Sequence, residues 1–323
     1  RPLIAAAQLL APERGVATHA ADPVVPESVV PDSVVPESVV PDSGAPHPGR
    51  ATIIDCRFRL DAPDAGREAW RSSRIPGSIH LHLDLDLSDP VVPGRTGRHP
   101  LPSVASMRAR FAALGIDGNA PVAFLDDAGG PFAARAWWLA ARCGHPQAHV
   151  VDGGWPAWLA AGGEPDTGPP PPPPAAAPAW PERPALVDVV DADVLLGDAI
   201  GPLIDARGRP RFEGLQEPID PIAGHIPGAR CMPFDDNLDA EGRFLDPQRL
   251  RDRWSPVLGP DPAQAVCYCG SGVTAAHDIL AAVIAGLAPP RLYPGSWSEW
   301  ITDPGRPVAI GPESDETLLA RSS

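Results

Sequence analysis

The sequence predicts two tandem α/β domains, each a parallel sheet flanked by helices, and three observations carry that prediction. One set of short motifs occurs twice in the same order, a proline-rich tract separates the two sets, and within each set short apolar runs alternate with helical stretches. The length of 323 residues suits two ordinary domains, and 43% hydrophobic residues are enough to give each a core.

The elements follow in chain order. The apolar opening, residues 2–11, is expected to form the first helix, with residues 190–197 as its counterpart in the second domain. Residues 24–43 repeat Val-Val-Pro-Glu/Asp-Ser four times, and a proline every fifth residue blocks both a helix and a sheet ladder. An extended, disordered insertion into the first domain is therefore expected at about 22–48, where a loop accepts it at little cost, and no function is assigned to it. The first motif set then reads DCR at 55–57, IPGS at 75–78, GRHPLP at 97–102 and GGWPAW at 153–158, with apolar runs at 52–54 and 121–125 as strands. The second reads DAR at 205–207, IPGA at 226–229, GRFLDP at 242–247 and GSWSEW at 295–300, with apolar runs at 203–204 and 265–268. Asp55 precedes Ile75 by 20 positions and Asp205 precedes Ile226 by 21, so the duplication extends to spacing. The expected domains are 1–163 and 185–311, joined by a linker at 164–184 that contains six consecutive prolines, 169–174, and followed by a flexible tail at 312–323.

Composition removes several classes of function. With 41 acidic and 26 basic residues the net charge is −15, and without a basic run neither nucleic acid nor an anionic membrane is an expected partner. Every basic residue is arginine, which excludes P-loop, Schiff-base and pyridoxal lysines. Five cysteines, an odd number without zinc-finger spacing, fit a reducing compartment better than a disulfide framework. No apolar run reaches the span of a bilayer, so the expected setting is cytoplasmic.

The segment that carries chemistry is 265–276, an apolar strand running into a glycine-rich turn and then a helix of small residues, with Cys269 at the turn. The backbone N–H groups of Gly270, Ser271, Gly272, Val273 and Thr274 can curl around its sulfur, and the helix start adds partial positive charge. Such a cradle favours a thiolate over a thiol that titrates near about 8.5. It serves either a phosphate or an anionic sulfur. A cysteine phosphatase needs an arginine six positions after its cysteine, and here that position is Ala275. A buried core cysteine is the plain structural alternative.

On these residues the chain resembles the tandem rhodanese-like sulfurtransferases, the thiosulfate and 3-mercaptopyruvate sulfurtransferase family, over nearly its whole length outside the repeat and the linker. CGSGVTA at 269–275 looks like the mercaptopyruvate type of loop, the thiosulfate type usually having basic residues after the cysteine. The resemblance implies that Cys269 takes sulfur from a small-molecule donor, holds it as a persulfide, and passes it to a thiol, cyanide or a thioredoxin-like reductant. It implies no metal or organic cofactor. Arg211 matches the family's donor-binding arginine near the loop. Ser271 can hydrogen-bond a mercaptopyruvate, and too little cation follows Cys269 for a dianionic thiosulfate, so 3-mercaptopyruvate is the preferred donor.

Two positions depart from the family pattern. A second substrate arginine expected in Glu-Pro-Arg is replaced in Glu217-Pro218-Ile219, and the histidine expected before the first IPG, a residue taken to assist the serine, is Arg74. Arg74 is therefore a candidate to bring positive charge from across the cleft. Asp126 stands where the first domain would have its cysteine, so that domain should be catalytically silent and form a cleft wall.

Other residues receive structural readings. His80, His82, Asp84 and Asp86 alternate with leucines as in a half-buried strand, which outweighs a metal site. His225 reads as a hydrogen-bonding residue, Asp205 and Arg207 as an ion pair, and Trp155, Trp158, Trp297 and Trp300 as core and cleft wall. Cys267 has no assigned role. A non-catalytic binding module and a phosphatase or arsenate reductase remain as second and third readings.

Overall fold

The computed structural model describes residues 2–10, 51–197 and 201–313. The pentapeptide repeat and most of the expected tail lie outside the described residues.

Two all-parallel sheets reproduce the duplication. The first has the order β1-β5-β4-β2-β3, built from Leu3–Ala5 (β1), Thr52–Asp55 (β2), Ile79–His80 (β3), Val122–Leu125 (β4) and Ala148–Asp152 (β5). The second has the order β7-β6-β8-β9, from Leu203–Asp205 (β6), Ala229–Cys231 (β7), Val266–Tyr268 (β8) and Arg291–Leu292 (β9). The centre of one maps onto the other: β2, β3, β4 and β5 correspond to β6, β7, β8 and β9. The central strands β4, β6 and β8 are buried along their length because helices cover both faces of each parallel sheet.

The expected helix at 2–11 is instead strand β1 followed by a 3-10 turn at Ala6–Leu10. A short apolar run satisfies either periodicity, and here an edge of the sheet is open to it: Leu3 pairs with Val150 and Ala5 with Asp152. The second domain keeps a remnant of this pairing in the bridge between Val189 and Leu292, before a single helical turn, Ala192–Leu195.

Besides α1 (Ala65–Ser72), α4 (Gly154–Ala160), α5 (Ala192–Leu195), α6 (Arg209–Phe212) and α9 (Ser296–Trp300), each GR motif leads into a capped helix. Ser103 accepts from the Ser106 N–H at the start of α2 (Val104–Ala113), and Asp246 accepts from Gln248 and Arg249 at the start of α7 (Pro247–Leu258). The helices after the central strands, α3 (Pro131–Arg142) and α8 (Thr274–Ile284), pack on each other and join the two halves. Their faces belong to one apolar cluster that runs from Ile54 and Phe124 through Trp138 and Leu280 to Ile204. The halves thus share a core.

The proline-rich segment at 164–184 is more than a spacer, for it lies along the first domain. The Trp180 indole N–H donates to the Ile116 carbonyl at 2.7 Å, and the Ala177 N–H donates to the Ala112 carbonyl. Arg74, fully buried, donates to Asp166 at 2.7 Å and to the carbonyls of Gly168 and Pro169.

Candidate active site

Cys269 follows β8 at the carboxyl end of the sheet, the place where parallel α/β sheets hold ligands. Its side chain is 2% exposed. The Gly272 N–H donates to Sγ at 3.1 Å and the Ser271 N–H at 3.5 Å. Burial alone would push the thiol up, but the Thr274 hydroxyl and the backbone N–H groups of Ser271, Ala275 and Val273 outweigh it and hold Cys269 below its ordinary value. Gly272 has φ +77, and a Cβ there would stand 2.7 Å from the Pro294 carbonyl oxygen, so the turn requires glycine.

The strand end is fixed from behind by Ser296, a non-glycine residue at φ 55 whose hydroxyl accepts from the Cys269 N–H at 3.1 Å and donates to the Tyr293 carbonyl. Asp205 and Arg207 form a fully buried ion pair at 2.6 Å, and Arg207 lies over the Trp297 ring. Asp55, Arg57 and Trp155 repeat this in the first domain. His225 is structural, its Nδ1 bonding the Phe212 carbonyl at 2.8 Å and its ring stacked on that of Phe212.

A cavity of about 290 Å³ opens over the loop, lined by Cys269, Gly270, Ser271, Val273 and Thr274. Arg211 lines it too, so the structure brings together every residue expected at the site except Arg74. Arg211 is held at 2.7 Å by Glu217 and at 3.1 Å by Asp220.

Arg74 is no part of the cleft, because its guanidinium is spent on the proline-rich segment. A cationic residue of the first domain that does line the same cavity is Arg98, which pairs with Asp220. The residue that holds the serine is likewise not at position 74. His99, in the GRHPLP motif, meets the Ser271 hydroxyl through Nδ1 at 2.7 Å, and its Nε2 stands 3.1 Å from Asp84. Burial pushes His99 below its ordinary value despite Asp84, with Arg135 and Arg98 adding to the fall. A neutral imidazole donates from Nε2 to the carboxylate, so Nδ1 accepts from Ser271.

Asp84 reaches this position because the alternating His-Leu segment stops being a strand at His80. A turn follows, closed by the Asp86 N–H donating to the His82 carbonyl at 2.9 Å, and it leaves Leu85 exposed while presenting Asp84 to His99. Among the described residues no group of three or more His, Cys, Asp or Glu is gathered as a metal ion needs.

Arg135, from α3, is also absent from the sequence reading. It is fully buried and donates to the Gly272 carbonyl at 3.2 Å and to the His99 carbonyl at 3.3 Å. Burial lowers it to about 10, and the thiolate of Cys269 is the anion that opposes that fall. The first domain thus supplies Asp84, Arg98, His99 and Arg135. No motif distinguishes these four in sequence, although the repeated Gly-Arg of both halves marks the loop that carries two of them.

Known proteins place this geometry in a family. The rhodanese-like domain matches residues 43–161 and 188–303. A probable 3-mercaptopyruvate sulfurtransferase of Pseudomonas aeruginosa is 47% identical over 80% of this chain and 92% of its own. A putative thiosulfate sulfurtransferase of Mycobacterium tuberculosis is 38% identical over 80% and 91%. The structure of the 3-mercaptopyruvate sulfurtransferase from Leishmania major superposes with a TM-score of 0.70 at 34% identity, covering 79% of this chain and 71% of that one. The chain belongs to the rhodanese-like family, with two such domains in tandem.

Proposed function

We propose that this tandem rhodanese-like protein is a sulfurtransferase that takes sulfur from 3-mercaptopyruvate onto Cys269 and hands it to a thiol. The observation that carries the reading is the cradled thiolate of Cys269 facing a cavity that Ser271 also lines, with the Ser271 hydroxyl backed by His99 and His99 by Asp84. The Pseudomonas and Leishmania relatives, named as sulfurtransferases of this donor, support it.

The chemistry balances through these side chains. The Cys269 thiolate attacks the donor sulfur, the carbon–sulfur bond breaks, and its electron pair passes to the enolate of pyruvate. The proton of the donor thiol moves through Ser271 to His99, where Asp84 stabilises the imidazolium, and returns the same way to the enolate. The sulfur remains as a persulfide under the N–H groups of the loop. An acceptor thiolate then attacks the outer sulfur and Cys269 leaves as a thiolate. Cyanide or a thioredoxin-like reductant can take the acceptor's place by the same displacement. A cytoplasmic setting is part of the reading, supported by five free, buried cysteines.

The test is steady-state sulfur transfer to a thiol from 3-mercaptopyruvate and from thiosulfate, on the wild type and on Cys269→Ser. Preference for 3-mercaptopyruvate with an inactive Cys269→Ser supports the whole reading. A preference for thiosulfate removes the donor assignment, and no turnover with either removes the enzyme.

A further inference from the structure

Arg98 belongs to the first domain, but its guanidinium stands over the catalytic loop of the second. A Cβ built on Gly270, the residue next to Cys269, would lie 2.7 Å from an Arg98 Nη and 3.6 Å from an Arg211 Nη. Two cations from different domains therefore converge beside the sulfur. Between them lies the Asp220 carboxylate, one oxygen on Arg98 and the other on Arg211. It is almost fully buried, with 4% of its side chain exposed.

The two arginines are not equally committed. Arg211 has a second carboxylate, Glu217, which accepts from its Nε at 2.9 Å and anchors itself on the N–H groups of Ile219 and Asp220. Arg98 has no ion pair besides Asp220 among the described residues, and its buried Nε has no hydrogen-bond partner. A buried polar nitrogen left in this state gains from any acceptor that enters the cavity. The Arg98 backbone stays fixed meanwhile, its N–H donating to Ser298 at 3.1 Å, so the side chain can change partner without moving the loop.

We propose that Arg98 is a donor-binding residue that reads the carboxylate of the incoming donor, and that Asp220 occupies this place in the resting protein. The pair Arg98 and Arg211 grips Asp220 as it would grip a ligand carboxylate, with one oxygen to each guanidinium. Asp220 thereby sets a threshold: an anion enters only if it competes with a carboxylate already in place, which selects a donor able to span from the arginines to Sγ. The identity of the donor rests on the sulfur-transfer reading, whereas the anion site does not.

The experiment compares alkylation of Cys269 in the full chain by iodoacetate, an anion, and iodoacetamide, its neutral counterpart, with Cys269→Ser as the blank. Arg98→Gln should slow iodoacetate about tenfold and iodoacetamide by less than about twofold. Arg98→Lys should lie between it and the wild type. Asp220→Asn should speed iodoacetate, and that gain should vanish in the Arg98→Gln background. With 3-mercaptopyruvate, Arg98→Gln should raise KM more than it lowers kcat. Equal slowing of both reagents by Arg98→Gln, or an Asp220→Asn that slows iodoacetate, overturns the proposal and leaves the pair as an interdomain tie. The charge-selective pattern without turnover of either donor supports the anion site while removing the sulfur-transfer reading.

Discussion

The same turn follows the central strand in both halves, filled by a carboxylate in one and by a thiolate in the other. Asp126, after β4, accepts from the N–H groups of Ala128, Gly130, Phe132 and Ala133, each at 2.9 Å. Cys269, after β8, accepts from Ser271 and Gly272. A carboxylate that takes four short N–H bonds closes its own cradle and has no sulfur chemistry to offer. A thiolate leaves its cradle in contact with a cavity.

The reciprocity across the interface is equally plain. Arg135, on α3, donates to the Gly272 carbonyl of the second domain's loop, and His277, on α8, meets the Gly129 carbonyl of the first domain's loop at 3.1 Å. One crossing group is a cation opposite a thiolate. The other is pushed down to about 3 by burial and is neutral against the Gly129 carbonyl. Leu238 and Phe244 of the second domain pack at the turn after Asp126, while Arg98 and His99 of the first meet the turn after Cys269. The first domain therefore lends side chains to the candidate site of the second.

Four measurements break or sharpen this comparison. The largest effect is expected from the relay: His99→Gln or Ser271→Ala should cut kcat by roughly a hundredfold or more while Cys269 still alkylates. Parallel loss of alkylation would instead make the relay a scaffold. Next, Asp126→Ala strands four N–H donors, those of Phe132 and Ala133 fully buried, and should lower stability by about 3 kcal/mol in urea denaturation with turnover per folded molecule largely kept.

Third, Arg135→Met removes the cation opposite the thiolate. Cys269 lies below its ordinary value, so its reactive form survives at lower pH; losing Arg135 should raise it and move the rising limb of the iodoacetamide profile up by about one pH unit. A profile that keeps its midpoint and loses only amplitude would assign Arg135 to folding alone. The smallest effect belongs to His277. Its folded value lies below its unfolded one, so the unfolded chain takes up the extra proton on acidification and stability falls as pH drops below about 6.5. His277→Gln should flatten that slope between about pH 7 and pH 5.

The sequence made the duplication, the parallel sheets and the nucleophile legible because each depends on local pattern: strand, glycine turn, helix. Arg211 was legible through its motif. Asp84, Arg98, His99 and Arg135 were not, because their role arises only when the packing of α3 on α8 brings one domain's loop over the other's. Arg74 misled for the same reason, since proximity to a motif says nothing of the Asp166 carboxylate and the carbonyls that claim its guanidinium. The opening strand was missed because an edge partner, Ala148–Asp152, decides between two conformations that a short apolar run allows equally.

The central claim is that sulfur rests on Cys269. Wild-type protein treated with 3-mercaptopyruvate without an acceptor, digested under non-reducing conditions and weighed peptide by peptide, tests it most directly. The peptide containing Cys269 should gain one sulfur atom and lose it on adding a thiol, with Cys56, Cys143 and Cys231 unchanged. Sulfur on a different cysteine, or turnover without any sulfur-bearing peptide, would contradict the account.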